Sequence, residues 1–356
     1  MSIELKNITK VVDGIIHIYP TNLHLRDKEF NVLLGATLSG KTTLLRLMAG
    51  LEKPSSGEVW FSGKNVTHVS VQHRNIAMVY QEFINYPNFS VFDNIASPLK
   101  VAGKTPDEIK QHVGEIAELL KLSKYLDRDV ASLSGGQQQR IALARALVKQ
   151  ASLVLLDEPL ANLDYKLREQ LREELPRLFA ESGSTVVYAT SEPEEALMLS
   201  GHIATLYEGE IIQYGKTTDI YRRPANLASA KIFSHPPINI TKVVKSKSRI
   251  TLPGVADWPC PEVFQDHIDG EYILGIRPHH LSLKNLEQSE KHIRISGNVQ
   301  LAEISGSASL IHLRINENDW ISESGGIHPY SIGETINVYM NLDGCLYFDH
   351  DGKAIH

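Results

Sequence analysis

The residues that invite chemistry begin at Gly35. Gly35-x-x-x-x-Gly40-Lys41-Thr42 follows the apolar run "FNVLLG" (30–35) and opens a helical pattern. Glycines let successive backbone amides wrap around an anion, and a helix start adds partial positive charge. Lys41 brings a cation to the outer phosphates of a nucleoside triphosphate, and the Thr42 hydroxyl can ligate Mg²⁺. The spacing predicts a phosphate cradle of Gly35, Thr37, Leu38, Ser39, Gly40, Lys41, Thr42 and Thr43.

A second set completes that chemistry. "SLVLLDEP" (152–159) carries an apolar strand to an end where Asp157 and Glu158 emerge. An acid at a strand's carboxyl edge can hold Mg²⁺, and the next acid can polarise an attacking water. A third segment, "LSGGQQQRIALARAL" (133–147), places Ser134, Gly135, Gly136 and Gln137 at a helix start. Two glycines permit close backbone approach, and the helix end with a serine hydroxyl suits an anion.

These groups need a scaffold. "FNVLLG" (30–35), "NIAMVYQ" (75–81), "ASLVLLDEP" (151–159) and "STVVYATS" (184–191) read as strands buried on both faces, as in a parallel sheet covered by helices. "TPDEIKQHVGEIAELLKL" (105–122) and "DYKLREQLREELPRLFAES" (164–182) read as helices between them, giving α/β order. After "HPPIN" (235–239) helical patterns stop, and alternating runs such as "GETINVYMNLDGCLYFD" (333–349) predict a small β-barrel or sandwich. The expected domains are 1–236 and 237–356.

With these motifs in view, the chain resembles the ATP-binding subunits of ABC transporters. The resemblance implies an α/β P-loop ATPase domain of ABC type, then an all-β, OB-like (TOBE) domain. It implies ATP and Mg²⁺ as ligands, with Thr42, Gln81 and Asp157 around the metal and Glu158 and Gln81 on the attacking water. It also implies that Ser134 to Gln137 bind the γ-phosphate of an ATP held by a facing subunit, with Asp164 of "LANLD" crossing that interface. "LGIRPHHLSL" (274–283) is similar to the C-terminal domain of maltose-type sugar and polyol importers. "VQHRNIAMVYQEFINYPNFSVFDNIASPLKVAGK" and "YATSEPEEAL" look like one of the paired ATPases of bacterial glycerol importers. The partners implied are a second ATP-binding subunit, two transmembrane permease subunits and, indirectly, a periplasmic solute-binding protein. The implied location is the cytoplasmic face of the cell membrane, as a peripheral subunit.

Three departures from the family fall on one pocket. Its strand-end histidine is Ser191 here, shorter and never cationic. Its adenine-stacking aromatic aligns with Val12, and Tyr19 comes seven residues too late. Thr37 and Leu38 stand where smaller residues are usual. The signature is intact. A heterodimer is therefore expected, in which this chain completes its partner's site and keeps an impaired one. The alternative is a homodimer with two equivalent sites in a sugar or glycerol-3-phosphate importer.

The bulk composition bounds these readings. The 356 residues suggest about two domains, and 42% hydrophobic with 22% charged residues is ordinary for a globular chain. A net charge of −6 argues against nucleic acid as a partner. Long insertions, tandem cassettes or a basic surface would mark an ATPase acting on DNA or ribosomes, and none appears. A purely regulatory, non-catalytic module is the third reading. Cys260 and Cys345 lack metal-ligand spacing and predict a reducing compartment. The start predicts no signal peptide, and no run approaches about 18 apolar residues. His279 and His280 read as a surface turn; Trp60, Trp258 and Trp320 read as packing.

Overall fold

The computed structural model describes residues 2–199, 201–284 and 291–355. The chain forms two compact units, Met1–Thr218 and Asp219–His356. Within the second unit, Ala230 packs with Ile238 and Phe348. That contact ties the short helix Leu227–Ile232 to the β-rich part, so the Pro-containing 235–239 segment lies inside the unit.

The first unit opens with a hairpin, β1 (Ile3–Val12) and β2 (Ile15–Leu25), joined at Asp13-Gly14. Both turn residues have positive φ, 51° and 80°. That is the two-residue turn whose twist matches paired strands, and Asp-Gly suits it. The register pairs Val11 with Ile16 and Val12 with Ile15. With β4 (Ser56–Phe61) and β5 (Lys64–Asn65) the hairpin makes an antiparallel sheet, ordered β2-β1-β4-β5.

The central sheet uses β3 (Phe30–Gly35), β6 (Ile76–Val79), β7 (Leu153–Asp157), β8 (Thr185–Thr190), β9 (His202–Tyr207) and β10 (Glu210–Lys216). Its order is β10-β9-β3-β8-β7-β6, and all pairs but β9–β10 are parallel. All six residues of β8 and all five of β7 are buried, which explains their unbroken apolar runs. Helix α1 (Lys41–Ala49) buries Leu44, Leu45, Leu47 and Met48 in one core with Ile3 and Leu5 of the hairpin and Leu33, Leu155 and Val187 of the sheet. Burial of each such side chain stabilises the fold by roughly 1.5–3 kcal/mol, so α1 is clamped and its first turn held still.

Helices α2 (Val91–Val101), α3 (Pro106–Leu119) and α4 (Gly135–Val148) follow in the chain. Thr105 caps α3 by accepting from the Glu108 amide, and Pro106 sits at its first position. Helix α5 (Tyr165–Ser182) is capped by Asp164, whose carboxylate accepts from the Leu167 amide at 3.1 Å.

Arg172 of α5 ties the end of β8 to α6 (Pro193–Leu199). Its guanidinium donates to Glu169 at 2.6 Å, Glu192 at 2.7 Å and Glu195 at 3.3 Å. Glu195 also accepts from the Tyr188 hydroxyl at 3.0 Å and the Thr190 hydroxyl at 2.7 Å. Burial pulls Arg172 down, but Glu195 and the other carboxylates outweigh it and hold its pKa above the ordinary value.

In the second unit, all paired strands among the described residues run antiparallel. One sheet is ordered Ala256–Pro259, Arg249–Leu252, Asn239–Ser246, Gly270–Ile276, Cys345–Phe348, Ala354–Ile355. The other is ordered Leu281–Ser282, Thr335–Asn341, His292–Ile304, Ala308–Ile315, Asn318–Gly325. They close, barrel-like, on a shared core that includes Trp258 and Trp320. Trp60 is instead half-buried, donating to Glu58 at 2.8 Å under the Lys6 ammonium. His279 and His280 fall on a short 3-10 turn, His279 exposed.

Of the Arg172 partners, Glu192 is 44% exposed but Glu195 only 4%. Arg172→Ala leaves the Glu195 carboxylate buried without its cation, an error worth about 3–5 kcal/mol. Chemical denaturation of that variant is expected to show a loss of this size. A loss under about 1 kcal/mol, the range of an exposed pair, would contradict the assignment.

Candidate nucleotide site

The phosphate loop runs from the end of β3 to the start of α1. Ser39 N–H donates to the Ala36 carbonyl at 3.1 Å, closing a turn whose third residue, Leu38, has φ of 68°. A leucine there costs about 1–2 kcal/mol against glycine's freedom. It is 96% exposed, so no packing offsets the strain. Gly40 also has positive φ, 104°, and an added Cβ would lie 2.7 Å from the Ile18 side chain. Here only glycine fits, for both conformation and space.

Lys41 is 5% exposed. Its ammonium donates to the Gly35 carbonyl at 2.8 Å and the Ala36 carbonyl at 3.0 Å, and lies 3.7 Å from Glu158. Burial depresses its pKa, with Glu158 and Asp157 opposing. Thr42 donates its hydroxyl to Asp157 at 3.2 Å. Asp157 is 2% exposed, and burial pushes its pKa up. Glu158 has a left-handed backbone, φ 45°, fixed by its N–H donating to the Ala189 carbonyl at 2.9 Å. Strain of this kind turns its side chain outward from a strand end. Gln81 donates to the Glu158 carboxylate at 3.3 Å.

Thr37, Leu38, Gly40, Lys41, Thr42, Thr43, Gln81 and Glu158 line one cavity of about 440 Å³. Gly35, Ser39 and Asp157 stand behind it, through the Lys41 and Thr42 contacts and the loop backbone. Val12 and Ser191 do not line it, although both are exposed. Ile15, Ile16, His17, Glu208 and Gly209 do, and the motifs did not point to them. The usable signal was Asp13-Gly14 between apolar pairs, which marks a hairpin and brings Ile15 to His17 back past Val12.

The signature lies elsewhere. At the start of α4, Ser134 N–H donates to the Gln137 side chain at 2.9 Å. The next turn is tied to two loops: the Gln138 carbonyl accepts from Asn85 at 2.9 Å, and Gln139 accepts from the Asn162 amide at 3.2 Å. Asp164 accepts from Arg140 at 3.3 Å besides capping α5. None of Ser134, Gly135, Gly136, Gln137 or Asp164 lines the cavity of its own chain.

The donor set tests well for Mg²⁺. A hydroxyl and a carboxylate already share a hydrogen bond, with an amide side chain close by, and all are hard ligands. Among the described residues, no group of three or more His, Cys, Asp or Glu could hold a metal alone. Mg²⁺ commonly keeps waters and takes substrate phosphates as ligands, so a two-residue protein set suffices.

A cradle of this kind, with acids at the end of a second strand of the same sheet, marks the nucleoside-triphosphate hydrolases built on a parallel sheet. Comparison sharpens that class. The ABC transporter family model matches residues 18–161, and the TOBE domain model matches 274–348. The chain is 37% identical over 340 residues to the Bacillus subtilis oligosaccharides import ATP-binding protein MsmX, covering 94% of this chain and 93% of that one. It is 36% identical over 339 residues to the Vibrio vulnificus sn-glycerol-3-phosphate import ATP-binding protein UgpC, covering 94% and 89%. The ATP-binding cassette MJ0796, solved as a dimer in a post-hydrolysis state with ADP and Pi, matches with TM-score 0.56 and 29% identity over 60% of this chain and 98% of its own. This chain belongs to the family of ABC transporter ATP-binding proteins, an ATPase family.

Because burial raises the Asp157 pKa, its ionised form is disfavoured in the folded state. Its contribution to stability therefore falls as pH rises from the ordinary aspartate range through the raised folded value, and the penalty stands in full above it. Asp157→Asn removes it while keeping an acceptor for Thr42. The expected result at pH 7 is a gain of about 1 kcal/mol, with loss of Mg²⁺-dependent hydrolysis. A variant no more stable than the parent at pH 7 would show that burial of Asp157 carries no penalty.

Proposed function

We propose that this chain is an energy-coupling subunit of a bacterial importer, bound at the cytoplasmic face of the cell membrane to two permease subunits. The observation that carries the reading is the convergence of Lys41, Thr42, Gln81 and Glu158 on one cavity. Among the described residues no helix is long and apolar enough to cross a membrane, so transport would run through partners. The names of MsmX and UgpC, which specify oligosaccharides and sn-glycerol-3-phosphate, support a sugar or a glycerol-type polyol as the solute, and glycerol itself is the finer reading we take from the sequence.

In this reading the loop amides and Lys41 hold the β- and γ-phosphates of ATP. Lys41 then offsets the charge that grows on the leaving oxygens. Glu158 accepts a proton from the attacking water, and Gln81, already bonded to Glu158, positions that water. Thr42 and Asp157 would hold Mg²⁺, which when bound neutralises phosphate charge. Ser134, Gly135, Gly136 and Gln137 would close over the ATP of a second subunit, with Asp164 beside that interface.

We further propose that the second subunit is a different chain. With Ser191 at the strand end and Val12 at the aromatic position, this chain's own pocket would hold ATP and hydrolyse it slowly, while its signature serves the partner's faster site. A homodimer is the second reading, favoured by the retained Glu158.

Lys41→Ala is expected to abolish ATP binding by this chain, read by displacement of a fluorescent nucleotide. Turnover by the chain alone is expected to be slow, and Ser191→His to raise it by roughly 100- to 1000-fold, the worth of one added donor at a developing charge. Brisk turnover by the unaltered chain alone would sink the heterodimer reading and leave the homodimer.

A further inference from the structure

One buried polar side chain stands close to the acid and outside the cavity. Gln139 lies on α4 just past the signature and is fully buried. The other buried residues of that helix, from Ile141 to Val148, are all apolar. A buried amide costs free energy unless both its ends find partners, where Leu or Met would bury freely. Both ends of Gln139 go to the segment after β7. Its Nε2 donates to the Glu158 carbonyl at 3.4 Å, and its Oε1 accepts from the Asn162 amide at 3.2 Å. The same stretch of helix meets that segment twice more. An added Cβ on Gly136 would lie 2.9 Å from the Asn162 carbonyl, and Arg140 donates to Asp164 at 3.3 Å.

The anchored peptide belongs to the acid. Glu158 holds a φ of 45°, a conformation that persists only where its surroundings over-determine it. Its N–H is fixed to the Ala189 carbonyl of β8 at 2.9 Å. Its carbonyl also accepts from the Ala161 amide at 3.3 Å, but that bond lies within the loop and moves with it. Gln139 ties the same carbonyl to a separate element. The backbone of Glu158 is thereby set from both sides, by β8 and by α4, with its carboxylate toward Lys41 and Gln81.

Resting on the reading of Glu158 as the acid, we propose that Gln139 is a positioning residue for hydrolysis. It lies outside the cavity lining and acts through the Glu158 backbone, fixing the acid to the helix that begins with the signature.

The test is single-turnover hydrolysis of Mg²⁺-ATP by the purified full-length chain, with ATP affinity read separately by displacement of a fluorescent nucleotide. Gln139→Met keeps length and bulk and removes both hydrogen bonds. Misplacing a reacting group by about 1 Å costs roughly 100-fold in rate, so hydrolysis is expected to slow by about that factor. ATP affinity is expected to stay within about 3-fold of the parent, because the effect falls on the chemical step alone. Gln139→Asn keeps an amide that is one methylene too short to span both partners. It is expected to show the same split with a loss of about 10-fold, and it decides the matter if Gln139→Met does not fold. A purely structural role would lower the folded fraction, and with it binding and hydrolysis together. Hydrolysis by a folded variant within about 3-fold of the parent, or equal losses of affinity and rate, overturns the inference and leaves ATP binding standing. A parent that binds ATP and never hydrolyses it overturns the inference too, since no working acid would need positioning. Binding of no ATP by a folded parent overturns the ATP reading itself.

Discussion

Burial of the Lys41 ammonium at the start of α1 is the constraint on which the first unit depends. At 5% exposure it sits against two loop carbonyls and near the strand-end acids, and its pKa is pulled down. Asp157, at the end of β7 two strands over from β3, is likewise pushed up by burial. Neither charge is placed to stabilise the fold. Each is kept out of water, where a charge acts more strongly on its neighbours than it does in solvent. The offset comes from the core beneath, where α1 is clamped between the hairpin sheet and the central sheet. The site is rigid because its support is apolar and its charges are not free to move.

Backbone strain follows the same logic. Leu38 and Glu158 both hold left-handed conformations at the ends of β3 and β7. In a parallel sheet those ends are where strands stop and side chains can leave the sheet plane. Glu158 is pinned through the Ala189 carbonyl of β8, so the strand that ends just before Ser191 also sets the acid's backbone. The Arg172 cluster fixes the far side of that same strand end through Glu195 and Thr190. The 189–192 segment is thus held from both directions, although Ser191 itself is exposed and outside the cavity lining.

Much of this was legible in the sequence. Unbroken apolar runs gave β3, β6, β7 and β8 because both faces of each strand are buried, and helical patterns gave α3 and α5. The phosphate loop was legible because glycine, lysine and threonine at that spacing have few other uses. The N-terminal antiparallel sheet was not read. Exposed Val11, Val12, Ile15 and Ile16 blur the alternation that marks a half-buried strand. Glu208 and Gly209 were invisible for a different reason. They reach the pocket through a contact between β10's turn and β2, nearly 190 residues apart in sequence, and nothing local encodes it.

The two signature glycines separate what the chain requires for itself from what it does not. An added Cβ on Gly136 would fall 2.9 Å from the Asn162 carbonyl, so packing within the chain accounts for that glycine. At Gly135 the nearest atom would be 3.6 Å away, on Phe83, which is ordinary contact distance. Its φ is not in the left-handed region either. Glycine at a helix start, where alanine would fit, costs conformational entropy of about 0.5–1 kcal/mol. Nothing inside the fold repays that cost. The bare backbone at Gly135 is exposed, at the positive end of α4, in a segment absent from its own chain's cavity. Packing within the chain therefore accounts for Gly136 and does not account for Gly135.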